Sequence, residues 1–244
     1  MNLFGHSSEH FNVIRSARRM LVAPLRRRLP ALAWRLIALF HWLISFTRDG
    51  RAHFFPVSRL DWAGALEADW RSVRAELDAV MVKLHEVPNA QDAYAGQEAL
   101  ASDDQWKTFT LCRGLNQFVD DNCRRCPQTH RLLRQVPGLT HAMFSILAPG
   151  KHIPAHRGAY GGLIDCHLGL LVPQPAERCR IRVGDEHRHW QEGKLLAFDD
   201  SHEHEVWNDT TGPRAVLLMY VVRPLPFPLA SINMGVMRLV SRVI

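Results

Sequence analysis

Several things are scarce or missing in this chain, and each absence excludes a class. Cysteine is rare and odd in number, five in 244 residues, so a disulfide framework is not the main source of stability. There is no internal repeat and no Gly-rich phosphate-binding loop, which removes solenoids and the common nucleotide-binding motifs. The first apolar run starts late and no A-x-A-like cleavage site follows it, so the N-terminus is not an ordinary signal peptide. Excess basic charge is absent from most of the chain: residues 49–244 carry 22 basic and 23 acidic side chains. The net charge of +6 therefore belongs to the N-terminus, where residues 1–48 hold eight Arg against Glu9 alone. This is not the charge distribution of a nucleic-acid-coating domain.

What remains is globular. Hydrophobic residues make up 47% and charged residues 22%, and the length suits one core of roughly 150 residues with appendages. The first appendage is basic and aromatic. Arg15, Arg18, Arg19, Arg26, Arg27 and Arg28 precede LPALAWRLIALFHWLISFT, residues 29–47. As a helix this stretch reaches roughly 28 Å, near the bilayer core of about 30 Å. Arg35 and His41 interrupt it, however, and Trp34, Phe40, Trp42 and Phe46 suit an interface better. It reads as a membrane-surface helix beside a basic cluster. A single span and a helix covering the rest of the chain or a partner are the other readings. At the far end, Leu229, Ile232, Val236 and Val240 recur at spacings of three and four. That is either a second amphipathic contact or a docking helix.

Between them, Leu66, Trp70, Val73, Leu77, Val80 and Leu84 predict one core-facing helix over 61–87, with Asp61 as N-cap and Pro88 after its end. Residues 88–105 read as a loop. Cys123-Arg-Arg-Cys126 lacks the second ligand pair of a zinc site and the βαβ setting of a redox pair, so these cysteines read as structural. Pro127 opens a short helix ending near Val136-Pro137-Gly138. Short apolar runs split by turns follow, at His141–Leu147, His167–Val172, Cys179–Val183, Lys194–Phe198, His204–Trp207 and Arg214–Val222. Such a run of short strands predicts an all-β sandwich or barrel. The segments are then 1–50, a basic, membrane-associating stretch; 51–105, a helical lead-in; 106–226, the β domain; and 227–244, the amphipathic tail.

The chain holds 14 His, several in the β half. His156 and His204 lie 48 residues apart near strand ends, and Arg214 opens the last strand. In a double-stranded β-helix this spacing brings two imidazoles to one mouth, with a guanidinium deeper inside. Two neutral imidazoles with open positions suit Fe(II), and a buried Arg suits a carboxylate. The usual oxygenase pattern His-x-Asp reads here His156-Arg157-Gly158, so the carboxylate position is Gly. On spacing alone, polar strand histidines remain the competing reading. Trp190 and Trp207 read as core, Asp199 and Asp200 as caps of the turn before Ser201, and His187 and His189 as surface residues of a hairpin. His202 is not assigned as a ligand.

Residues 143–226 resemble the aspartyl/asparaginyl β-hydroxylase family of Fe(II)/2-oxoglutarate oxygenases. The resemblance rests on FSILAPGKHIPAHRG, HLGLLVP, CRIRVGDEHRHWQEGKLLAFDDSHEHEVWND and the Arg214 strand, in order and in spacing. It extends loosely back to Trp106. The family includes the animal aspartyl/asparaginyl hydroxylase and bacterial lipid A hydroxylases of the inner membrane. The resemblance implies a mainly β fold with flanking helices, a double-stranded β-helix of the jelly-roll, cupin-like kind. It implies Fe(II), 2-oxoglutarate and O2 as cofactors and an enzyme that hydroxylates an unactivated C–H bond. By position, His156 and His204 resemble the iron ligands, Ser145 and Arg214 the holders of the distal carboxylate, and His167 a contact to the chelating end. No further catalytic residue is implied. The family lacks the triad carboxylate, so Gly158 agrees with it, and the open position also admits halogenation as a variant.

One position departs from the family. Where it usually has Arg, two residues before the His of HLGL, this chain has Asp165, and a carboxylate repels 2-oxoglutarate. Three readings stand: Asp165 turns away while Arg157 or Arg180 substitutes, Asp165 itself ligates the metal, or cosubstrate binding is weakened. The last makes a non-catalytic metal- or ligand-binding protein on the same fold the alternative function. The expected substrate is a lipid acyl chain, an aspartyl residue or another amino-acid moiety, and the basic aromatic N-terminus favours the lipid. Nucleic acid is not an expected partner. The expected location is the cytoplasm, at the cytoplasmic face of the inner membrane for a lipid substrate.

Overall fold

A computed structural model describes residues 31–93, 100, 103–158 and 160–240. The arginines at 15–28 and most of the expected loop around 94–102 lie outside the described residues. Two antiparallel sheets face each other. The larger is built from β1 (Trp106–Arg113), β2 (Leu139–Leu147), β4 (Leu163–Leu171), β7 (Leu195–Phe198) and β9 (Arg214–Val222), in the order β1-β2-β9-β4-β7. The smaller holds β3 (His152–His156), β5 (Cys179–Val183), β6 (Glu186–His189) and β8 (His204–Asn208), in the order β3-β8-β5-β6. Sequence neighbours are split between the sheets, as a double-stranded β-helix requires.

The two sheets read differently in sequence because they are covered differently. The small sheet has one wet face, so β5 alternates: Cys179, Ile181 and Val183 point inward, Arg180 and Arg182 outward. The large sheet is buried on both faces. Met143, Leu147, Val216 and Leu218 face the small sheet across the barrel interior, with Ile153, Ile181 and Val206 opposite. Phe144, Ile146, Leu168, Leu217 and Met219 face the helices. That is why β2, β4 and β9 are nearly unbroken apolar runs.

The helices that cover the outer face are α2 (Ala63–Ala68), α3 (Trp70–Met81), α5 (Asp120–Arg125) and α6 (Pro127–Leu133), with the short α4 (Ala90–Ala93) after them in space near β1. The continuous helix expected over 61–87 is therefore broken. Asp69 leaves helical geometry (φ −103°, ψ 17°), and its carboxylate accepts from Ser72 Oγ and Arg131. Asp61 is not the N-cap; Trp62 occupies that position. The apolar stripe still packs as expected, with Leu66, Val73, Leu77 and Val80 buried. The three cysteines Cys112, Cys123 and Cys126 are free and buried in this layer, where burial pushes the thiols of Cys112 and Cys126 up to about 12. They are packing residues rather than a metal or redox pair.

Helix α1 (Ala31–Ile44) and helix α7 (Leu229–Val240) flank one end of the barrel. Among the described residues no helix is long and apolar enough to cross a membrane. The stripe that docks α7 is Asn233 and Met237, both buried, while Ile232 from the expected stripe is exposed. Both helices meet the loop Tyr160–Gly162. His41 Nε2 accepts from the Gly161 amide at 2.5 Å, Tyr160 Oη donates to Asn233 Oδ1 at 2.7 Å, and Asn233 Nδ2 donates to the Gly162 carbonyl at 2.8 Å. Arg223, at the end of β9, ties the assembly together. Its Nη1 lies 2.8 Å from Asp199 Oδ2 and 2.9 Å from the Gly161 carbonyl, and both charged groups are buried.

Removing one member of this pair strands the other charge. Arg223→Met is expected to destabilise the protein by about 3–5 kcal/mol, read as a fall in urea midpoint at unchanged slope.

Candidate active site

The barrel interior between the sheets collects the polar side chains that the outer layers exclude. β3 and β8 are paired with His156 opposite His204, so register alone brings the two imidazoles side by side, ring centroids 4.0 Å apart. Each Nδ1 donates to a backbone carbonyl two residues earlier, His156 to Pro154 at 2.9 Å and His204 to His202 at 3.0 Å. This places the proton on Nδ1 and leaves the Nε2 lone pair available on both rings. Burial lowers both pKa values, that of His204 well below the usual range with His156 as the next cause. The pair is therefore neutral and ready to act as ligands. Among the described residues no third imidazole, thiol or carboxylate joins them in a ready-made metal cage.

Across the interior, β2, β4 and β9 place Ser145, Asp165, His167 and Arg214 in register facing the small sheet. Arg214 is buried, with its Cζ 4.3 Å from the centre of the Trp190 ring. Its Nε and Nη1 have no hydrogen-bond partner. Burial brings its pKa down to about 10, so it stays cationic at neutral pH. Ser145 Oγ accepts from Trp106 Nε1 at 3.0 Å, which leaves its own proton free to donate. Thr108, paired with Ser145 in the sheet register, has a buried hydroxyl without a partner. His167 Nδ1 accepts from Trp190 Nε1 at 3.2 Å, so the proton sits on Nε2. That Nε2 also lacks a hydrogen bond.

Buried polar groups in native proteins are almost always satisfied. Here Thr108, Asp165, His167, Asp200 and Arg214 all carry unsatisfied buried atoms, and all but Asp200 lie on inward positions of the large sheet. The interior is shaped for a polar ligand that supplies the missing partners.

Asp165 does not turn away. It is buried and faces inward, with Oδ1 3.2 Å from His167 Nε2 but misaligned for a hydrogen bond. Arg180 lies on the outer face of the small sheet, paired with Asp209 at 2.8 Å and over Trp207, so it is not brought to this interior. Arg157 stands beside His156, donating weakly to the Ser201 carbonyl at 3.4 Å, with a buried Nε that is unpartnered. Trp207 is on the outer face, stacked with His152, whereas Trp190 is in the core as expected. His187 and His189 are exposed on β6, as expected.

The turn before Ser201 splits the roles of two adjacent acids. Asp199 caps it, accepting from Ser201 N and Oγ. Asp200 does not. Its carboxylate occupies the space into which a Cβ at position 158 would project, and its carbonyl accepts from the Gly158 amide at 2.8 Å. Gly158 is thus required: the missing side chain at the usual carboxylate position makes room for a carboxylate reaching over from another segment. Burial, then Asp165 and Asp199, push the Asp200 carboxyl well above its usual range, against Arg223. Sequence reasoning missed Asp200, Thr108 and the part played by Trp190, because each acts through a neighbour distant in sequence.

Residues 67–224 match the family model for aspartyl/asparaginyl β-hydroxylase. The chain is 41% identical over 196 residues to the ornithine lipid ester-linked acyl 2-hydroxylase of Rhizobium tropici, an alignment covering 80% of this chain and 69% of that protein. It is 35% identical over 165 residues to human aspartyl/asparaginyl β-hydroxylase, covering 66% of this chain and 21% of the human protein. The chain thus spans about a fifth of the human relative. Among solved structures, a prolyl-4-hydroxylase from Pseudomonas putida aligns at 20% identity with a TM-score of 0.36, covering 72% of this chain and 91% of that one.

Gly158→Ala is expected to displace the Asp200 carboxylate and cost about 1–3 kcal/mol through overpacking. Adding Asp200→Gly restores the space, so thermal melts of the double variant recover relative to Gly158→Ala. Equal or lower stability in the double variant would show that the clash is not the cause.

Proposed function

Because the chain belongs to the aspartyl/asparaginyl β-hydroxylase family, we propose that it is an Fe(II)- and 2-oxoglutarate-dependent hydroxylase whose substrate is a lipid acyl chain. The observation that carries this reading is Arg214: a buried guanidinium whose Nε and Nη1 have no hydrogen-bond partner, next to inward-facing hydroxyls in a barrel whose other end holds two ligand-ready imidazoles.

The residues present fit the cosubstrate and metal in kind. Nε2 of His156 and His204 would hold Fe(II), and a dication there would favour the ionised form of the Asp200 carboxyl, which burial otherwise pushes well above its usual range. Arg214, Ser145 and Thr108 would take the distal carboxylate of 2-oxoglutarate, with a guanidinium, a hydroxyl donor and a second hydroxyl in place. The Nε2–H of His167, fixed by Trp190, would donate toward the chelating end. When bound, iron and cosubstrate supply the oxidation: 2-oxoglutarate, O2 and a C–H bond give succinate, CO2 and a C–OH bond. The protein's own work is to bind, orient and keep water out.

The lipid is favoured over an aspartyl residue by the relative with the larger mutual coverage, an acyl 2-hydroxylase. The aromatic helix α1 beside the barrel mouth supports the same choice.

Asp165 favours a second reading, a binding protein without turnover. Its carboxylate sits next to His167, where the chelating carboxylate of the cosubstrate would lie, and like charges repel strongly in a buried site.

Anaerobic titration of the Fe(II)-loaded protein with 2-oxoglutarate decides between them. The hydroxylase reading expects a visible charge-transfer band, lost in His156→Ala. Arg214→Met is expected to raise the apparent Kd about a hundredfold. No band while Fe(II) remains bound supports the binding role. Asp165→Asn and Asp165→Arg are expected to tighten cosubstrate binding by about tenfold; unchanged affinity means that repulsion by Asp165 does not limit binding.

A further inference from the structure

Helix α1 has two apolar faces, and only one of them is used. Phe40 and Ile44 point inward and are buried, Phe40 stacking on Tyr160 with centroids 6.1 Å apart. On the outward side adjoining it Leu36, Leu39 and Trp42, with Phe46 just past the helix end, are 58%, 51%, 57% and 63% exposed. At 3.6 residues per turn these four fall within an arc of about 120°. A helix that covers a globular domain needs one apolar stripe, and a second contiguous one marks an interaction surface.

The same face is basic. Arg35 falls inside the exposed arc, and Arg48 and Arg51 follow the helix end, all three exposed. Arg51 stands over the Phe46 ring at 5.8 Å. The nearest acid in sequence, Asp49, is already paired with Arg59 at 2.7 Å. A second apolar group lies where the chain leaves β9 for α7: Phe227 is 85% and Ile232 47% exposed. Both elements clamp the loop Tyr160–Gly162, α1 through His41 and α7 through Asn233. That loop comes shortly after His156-Arg157-Gly158 in the chain, so the exposed apolar groups flank the histidine end of the barrel.

We propose that the outward face of α1, together with the β9–α7 link, is a docking surface for an anionic lipid bilayer that seats the histidine end of the barrel against the membrane. Arginines interleaved with Trp, Phe and Leu are the chemistry of the headgroup boundary, where rings and aliphatic chains enter the acyl region and guanidinium groups meet phosphates. A second copy of this chain is disfavoured as the occupant, because it would set the same arginines against one another. The inward side of α1 is already held against the barrel through Phe40, His41 and Ile44, so lying along the membrane surface is the orientation that uses its outward face. The proposal deepens the acyl-chain reading above and rests on it for the choice of occupant.

Vesicle flotation with the full chain tests it, comparing phosphatidylglycerol-containing vesicles with pure phosphatidylcholine. Wild type is expected to float with the anionic vesicles, less so in high salt. Trp42→Glu/Phe46→Glu is expected to lose more than about tenfold in partitioning with an unchanged melting temperature, since both side chains are exposed. No flotation of wild type overturns the proposal, as does flotation of the double variant equal to wild type, which would place the attraction elsewhere in the chain. A wild-type dimer that the double variant dissociates, with no vesicle binding, assigns the face to a second copy. Hydroxylation of a detergent-dispersed lipid separates this outcome from the function. A double variant active in micelles but not on vesicles supports the docking surface. A wild type that floats yet hydroxylates no acyl chain leaves the docking surface standing and removes the lipid substrate.

Discussion

A guanidinium sealed inside a β barrel sets the terms for the rest of this structure. Arg214 opens β9, the strand at the centre of the large sheet, and is buried. A buried charge needs partners, yet its Nε and Nη1 have no hydrogen-bond partner. The surrounding residues position it without neutralising it. The Trp190 ring centre stands 4.3 Å from its Cζ, and Trp190 also fixes the tautomer of His167. Such an arrangement leaves binding capacity unspent, and a carboxylate ligand is the species whose geometry matches the guanidinium fork.

The opposite end of the interior shows a trade between glycine and carboxylate. Gly158 has no side chain because Asp200 occupies its space. The acid that the chain does not place beside His156 in sequence it places nearby through the turn before His204. Asp165 adds a second carboxylate facing the interior, and its nearness is part of what raises the Asp200 carboxyl. Two neutral imidazoles, Asp165 and an Asp200 carboxyl held well above its usual range share this end of the barrel, an arrangement that suits a cation and opposes an anion. The proposed cosubstrate presents its charges to both ends, so Arg214 favours it where Asp165 does not.

The terminal helices belong to the same design. α1 and α7 are far apart in sequence, yet each hydrogen-bonds one part of the loop Tyr160–Gly162, and Arg223 links that loop to Asp199. The histidine end of the barrel is therefore framed by the two appendages, and any surface on which they sit lies beside it.

Local pattern determined much of this. The bounds of β5 and β9 follow from alternation and from an unbroken apolar run, and β2, β4, β7 and β8 from similar signals displaced by a few residues. β3 is not among the expected strands and β6 reads only as a surface hairpin through His187 and His189: HIPAH and EHRH are short and polar, because one forms the rim that carries His156 and the other is an exposed edge. The break at Asp69 was hidden because the apolar stripe continues across it. Spacing pointed to His156, His204 and Arg214, the family resemblance added Ser145 and His167, and strand pairing brings all five toward one interior. Which way Asp165 faces, that Arg180 lies outside, and that Gly158 exists to admit Asp200 were decided by tertiary structure alone. Each depends on strand pairing and cross-barrel packing between residues dozens of positions apart, and no local periodicity carries that information.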